Sequence, residues 1–163
     1  MPVRARAIAN EFIHLAKADG RSLTPLQLIK LTYIAHGWML ALYGRPLIVD
    51  EVEAWKYGPV IPDLYQAMRR YGSAYVTKDL GTWGSRAASR LNETERDVIH
   101  QVYRAYGEQT GVQLSRLTHQ SGTPWYQTRN ASGQNAVIAN DLIAEHYRLL
   151  NDERRAKTDS GRS

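Results

Sequence analysis

A mainly α, single-domain fold with a short extended arm near residues 47–61 is what this sequence predicts. Three observations carry it. Most segments place apolar residues at helical spacing between a capping residue and a glycine or proline stop. One stretch, residues 47–61, is instead rich in β-branched and aromatic residues. Finally, 163 residues with a hydrophobic fraction of 43% are enough for one hydrophobic core and short for two. There is no internal repeat, and the order of elements argues for packed helices, not for a sheet protein.

The first helix is expected from near Val3 to Ala18, with Ala7, Ile8, Phe12, Leu15 and Ala16 on one face and Gly20 as the stop. The second begins at Thr24, which can cap. Pro25 suits the first helical position and Gln27 completes a capping-box pattern. It runs to Tyr43 before Gly44. Leu28, Leu31, Ala35, Trp38 and Leu42 form its apolar stripe, and Ile29, Ile34, Met39 and Leu40 extend that character to the other faces. A helix apolar on most sides is buried on most sides, so it should sit at the centre of the fold. Gly37 inside it points to a close crossing of two helices. Pro62 opens a third helix with Leu64, Tyr65, Met68 and Tyr71.

Residues 73–90 lack periodicity and are expected to form a mobile surface loop. A fourth helix follows Asn92, with Glu95 at the capping-box position, and ends before Gly107. Short helical turns are expected around Leu114–Thr118 and from Pro124 through Tyr126. The last helix is expected over Asn140–Asn151. The domain thus spans residues 1–150, and residues 151–163, with Ala156 their sole apolar residue, read as a disordered polar tail.

Composition narrows the function. No apolar run reaches the ~18–20 residues of a spanning helix, so no membrane role is expected. The first residues carry scattered charges and no signal-peptide pattern, and the chain has no cysteine. Both features point to the cytoplasm, and the second removes disulfides, thiolate nucleophiles and cysteine-based zinc sites. Net charge is +5, with the densest basic group at Arg69 and Arg70, followed by Lys78, Arg86 and Arg90. That group reads as a solvated face or as a contact for an acidic partner.

No enzyme signal emerges. The histidines His14, His36, His100, His119 and His146 are never three or four residues apart, so no helix presents a ligand pair, and no metal or organic cofactor is expected. His36, His100 and His146 read as core or flanking residues. His119, in a turn with Thr118 and Trp125, reads as a helix-end hydrogen bonder, and a Ser115–His119 pairing lacks a nucleophile elbow. Gly81–Ser85 lacks the ending of a phosphate loop. Asp50, Glu51 and Glu53 read as solvated acids, with a cation or acid–base role as the alternative. The fourth helix and the turn before Leu114 loosely suggest a helix-turn-helix, offering Gln113, Arg116 and His119 to bases.

The densest feature is Trp55-Lys56-Tyr57-Gly58-Pro59. Its aromatics either close the core or present a stiff surface to a partner. Strand alternation would put Trp55 and Tyr57 on one face and Lys56 on the other.

These residues fit a wider pattern. Lys30, Leu31, Tyr33, Ala35, Gly37 and Trp38 are followed by Gly44, Pro46 and Leu47. Then come Glu53, Ala54, Trp55, Tyr57, Gly58, Pro59 and Val60, and later Leu117, Thr118, His119, Pro124 and Trp125. In this order they resemble the SocA-like antitoxins, the Panacea-domain family, which includes phage-associated GepA-like proteins. His36 stands where many relatives have Gln. The resemblance implies an antitoxin that binds and neutralises a cognate protein toxin, acting in one branch as a proteolytic adaptor, without catalytic residues. The expected partner-binding residues are Trp55, Lys56, Tyr57, Arg69, Arg70, His119 and Trp125. The alternative is a nucleic-acid-binding, prophage-associated regulatory protein.

Overall fold

The computed structural model describes residues 2–81 and 91–161. Within them the chain is mainly α. Helix α1 (Ala5–Ala18) leads to α2 (Pro25–Tyr43), a hairpin of β1 (Glu53–Trp55) and β2 (Gly58–Val60), and α3 (Pro62–Met68) with a 3-10 turn, Arg69–Tyr71. Then follow α4 (Glu93–Tyr106), α5 (Gly111–His119), α6 (Pro124–Ser132) and α7 (Asn140–Ser160). Among the described residues no helix is long and apolar enough to cross a membrane.

Helix α2 is the hub, packed by α1, α3, α4, α5 and α7. The expected cap is present: the Gln27 N–H donates to the Thr24 hydroxyl at 3.3 Å and the Thr24 N–H to the Gln27 side chain at 2.9 Å. Every residue from Leu28 to Leu40 is buried, as its apolar faces predict. The predicted close crossing is with α7. A Cβ on Gly37 would lie 2.2 Å from the Tyr147 ring, so only glycine lets the two helices approach. Tyr147 meets Trp38 edge-on at 5.3 Å and Tyr33 at 6.3 Å between ring centres.

The buried His36 ties α2 to its neighbours. Its Nδ1 accepts the Leu47 N–H at 3.2 Å, which leaves Nε2 to donate to Asn140 at 3.0 Å. Burial holds its pKa below the ordinary value, so the ring is the neutral form these two bonds require.

Several expectations are corrected. Leu42 is 40% exposed, lining an open cleft with residues of α4 and α7 instead of the core. Helix α1 starts at Ala5, since Val3 pairs instead with the chain beyond α2 through bonds to Leu47 and Val49. The Ala5 N–H donates to Asp50 at 2.7 Å, so this acid caps α1 and is not a solvated one. Residues 73–81 are irregular but pinned. Asn10 grips both the N–H and the carbonyl of Leu80, at 2.7 and 3.0 Å. The rest of the expected loop, with Arg86, Arg90 and most of the Gly81–Ser85 segment, lies outside the described residues. Residues 124–132 form a full helix where a short turn was expected. Helix α7 runs to Ser160, so the segment expected as a disordered tail is helical up to there. Extending a nucleated helix costs little. Arg154 also anchors it, donating to the Tyr106 hydroxyl at 2.8 Å and stacking over Trp38 at 4.7 Å.

Candidate partner-binding face

After α2 stops at Gly44, in the left-handed conformation at φ +68°, buried Leu47, Ile48 and Val52 carry the chain to the hairpin. Its strands pair antiparallel with Trp55 opposite Gly58, leaving Lys56 and Tyr57 as the loop. The strand therefore ends at Trp55. This corrects the expected alternation: Lys56 and Tyr57 are both exposed at the tip, with the Lys56 ammonium 5.3 Å from the Tyr57 ring centre. Gly58 is required where it stands. Its φ is +119°, and a Cβ there would come within 2.8 Å of Lys30 Nζ.

Both outward edges of the hairpin are occupied. Along β1, the Ala54 N–H donates to Ala136 and the Asn135 N–H to Ala54, each at 2.8 Å. Along β2, Pro59 has no N–H, and its carbonyl accepts from Lys30 Nζ at 2.7 Å. Lys30 is almost wholly buried with no acid partner among the described residues, and burial pulls its amine from an ordinary 10.5 to about 7.

That shift has a testable consequence. Between about pH 7 and 10 the unfolded chain holds a proton on Lys30 that the folded chain lacks. Stability from this group is lowest below pH 7 and rises with pH, by up to ~1.4 kcal/mol per pH unit. Denaturant melts between pH 7 and 9.5 should show this slope in the wild type and lose it in Lys30→Met. Parallel curves would overturn the account.

The remaining expected site residues divide into two groups. His119 and Trp125 lie behind the hairpin and brace it. Trp125 Nε1 donates to the Trp55 carbonyl at 2.6 Å, and the Ser115 hydroxyl to the Tyr57 carbonyl at 2.7 Å. His119 meets the Trp125 ring edge-on at 5.4 Å, while its Nδ1 bonds the Ser115 carbonyl. Thr118 Oγ1 also turns back to the Leu114 carbonyl at 3.0 Å, so these two residues close the end of α5 as expected. Ser115 and His119 thus form no nucleophile–base pair. Of the three residues α5 would offer to bases, Gln113 is held in the helix cap by Thr110 and His119 by the Ser115 carbonyl, which leaves the exposed Arg116.

Trp55, Lys56 and Tyr57 face the other way, onto a groove of about 410 Å³ between the hairpin, the start of α2 and α3. Its walls include Pro25, Leu26, Ile29, Val60 and Tyr65. Trp55 meets Tyr65 edge-on at 5.1 Å, and its indole N–H donates to Glu53 at 2.9 Å. The turn carrying exposed Arg69 and Arg70 ends at Gly72, which also lines the groove. Sequence reasoning missed the α2 wall. Lys30 gave the one available signal, a lysine within an apolar helix face.

Residues 28–126, which run from α2 into α6 and contain the whole hairpin, match the family described as "Antitoxin SocA-like, Panacea domain". The chain belongs to this family. It is also 34% identical over 157 residues to "Antitoxin SocA" of Caulobacter vibrioides (strain NA1000 / CB15N), covering 90% of this chain and 84% of that protein. No solved structure matches. In this Panacea-domain chain the residues that carried the resemblance have physical tasks. Gly37 admits Tyr147, Lys30 and Gly58 lock the hairpin, Glu53 holds Trp55, and Trp125 braces it from behind.

Proposed function

We propose that this chain neutralises a cognate protein toxin in the cytoplasm by direct contact through the hairpin face. The observation that carries the reading is the Lys56–Tyr57 tip, exposed and yet fixed by Lys30, Ser115 and Trp125 through main-chain carbonyls on both strands and the loop. Exposed aromatic and basic side chains on a pre-ordered backbone lose little freedom on binding, and Tyr, Trp and Arg are the residues that anchor interfaces. The similarity to a protein named as an antitoxin supports the same reading. A proteolytic adaptor would need a second surface for the protease, and nothing among the described residues singles one out.

The test begins with a small reading frame beside the gene, which should arrest growth alone and cease to do so with this chain present. Tyr57 and Arg69 are both exposed, so Tyr57→Ala with Arg69→Ala should leave the melt unaltered. Affinity for the toxin should fall by about 30-fold or more, the size of an anchor residue's loss. Unchanged affinity in the folded double variant would remove this face from the interface and move it to the His119–Trp125 turn.

A further inference from the structure

We propose that the groove beside the hairpin takes an aromatic or long aliphatic side chain from an acidic segment of the partner, the carboxylates flanking that side chain meeting the basic rim. The inference rests on the toxin-binding reading and specifies what the face recognises.

The groove's character comes from its walls. Leu26, Ile29, Trp55, Val60 and Tyr65 are apolar or aromatic, and Leu26 and Tyr65 are each 37% exposed with Tyr57 69% exposed. Apolar walls gathered in one groove suit the side chain of a partner. Its volume of about 410 Å³ falls in the ~300–1,000 Å³ range of pockets that enclose a bound group. Charge selects the flanks. Among the described residues the lining includes exposed Lys56 and no carboxylate, Lys30 being buried against the Pro59 carbonyl, and exposed Arg69 and Arg70 stand on the turn that leads into Gly72. Glu53, the acid on the hairpin, accepts from the Trp55 indole and is not one of the groove's lining residues. A segment bearing aspartate or glutamate on either side of its anchor would be drawn to this rim, and a basic one repelled.

The hairpin also excludes one mode of recognition. Partner strands commonly add to a free sheet edge. Here β1 is covered by residues 135–138 and β2 offers Pro59, whose carbonyl already accepts from Lys30. At the hairpin, recognition therefore falls to side chains, those of the exposed tip and those that line the groove.

The probes are two short synthetic peptides that differ only in their flanks, one with a tryptophan between aspartates and one with it between lysines. Each carries a photoreactive group at the anchor and is titrated against the full chain. The aspartate-flanked peptide should bind at least about tenfold more tightly, with the gap narrowing as salt is raised. Its cross-links should fall on Leu26, Tyr57 or Tyr65. Lys56→Glu with Arg69→Glu should reverse the preference. Equal binding of the two peptides, no binding of either, or cross-links elsewhere would overturn the inference. The toxin provides a separate arm. If the aspartate-flanked peptide binds as expected and the toxin does not bind, the antitoxin reading fails while the groove's chemistry stands. If the toxin binds the wild type and the charge-reversed variant equally, the groove inference fails alone.

Discussion

Trp38→Ala is expected to destabilise the chain by about 3–5 kcal/mol, the range for removing a large buried aromatic and leaving a cavity. Trp38 is 6% exposed and meets the Tyr147 ring edge-on at 5.3 Å. Its indole N–H donates to the Tyr106 hydroxyl at 3.3 Å, and the Arg154 guanidinium lies 4.7 Å from its ring centre. One truncation thus loosens the junction of α2, α4 and α7 at once. In a chain of this length each kcal/mol lowers Tm by roughly 2–4 °C, so a fall of about 10 °C is expected in a thermal melt. A Tm within a few degrees of wild type would show that the junction does not hold the fold.

Gly37→Val should be comparably severe, by overpacking instead of by a cavity. The added Cβ alone would sit 2.2 and 2.3 Å from two carbons of the Tyr147 ring. That ring has nowhere to go, being buried with Tyr33, Trp38 and His146 around it. Helix α7 would have to move off α2. Gly37→Ala offers the graded comparison. Overpacking costs about 1–3 kcal/mol, against about 1 kcal/mol regained from helix propensity, and a branched side chain adds to the clash. The two alanine-scale effects can be separated by repeating Gly37→Ala in a Tyr147→Leu background, where the penalty should shrink if the ring is its cause. An equal penalty in both backgrounds would locate the strain elsewhere.

The groove shows where sequence reasoning reached and where it stopped. Trp55, Lys56 and Tyr57 stood out as closing the core or presenting a surface to a partner, because aromatics, glycine and proline cluster within one short stretch. Their orientation was not legible. Alternation assumes that a strand continues, and here it ends at Trp55, so Lys56 swings out with Tyr57. His119 and Trp125 stood among the expected contact residues, and the structure puts them behind the hairpin as its support. Pro25, Leu26 and Ile29 read only as positions on a central helix, because nothing local tells which part of an apolar helix is left uncovered.

By itself the sequence determined the mainly α class, the helix starts at Thr24 and Asn92, the central place of α2 and the position of the extended arm. It also showed the family, through motifs spread along most of the chain. Each of these rests on local physics: a cap bonds three residues ahead, a stripe repeats every turn, and glycine or proline ends a helix where it stands. Only the tertiary structure decided that Leu42 faces out, that Asp50 caps α1, that α7 continues past Asn151 and that Lys30 is the hairpin's anchor. Those outcomes depend on partners far along the chain. Lys30 and Pro59 are 29 residues apart, Asp50 and Ala5 are 45, and Trp125 and Trp55 are 70. Which side chain is buried, and which is left for a partner, is settled by what the folded chain brings against it.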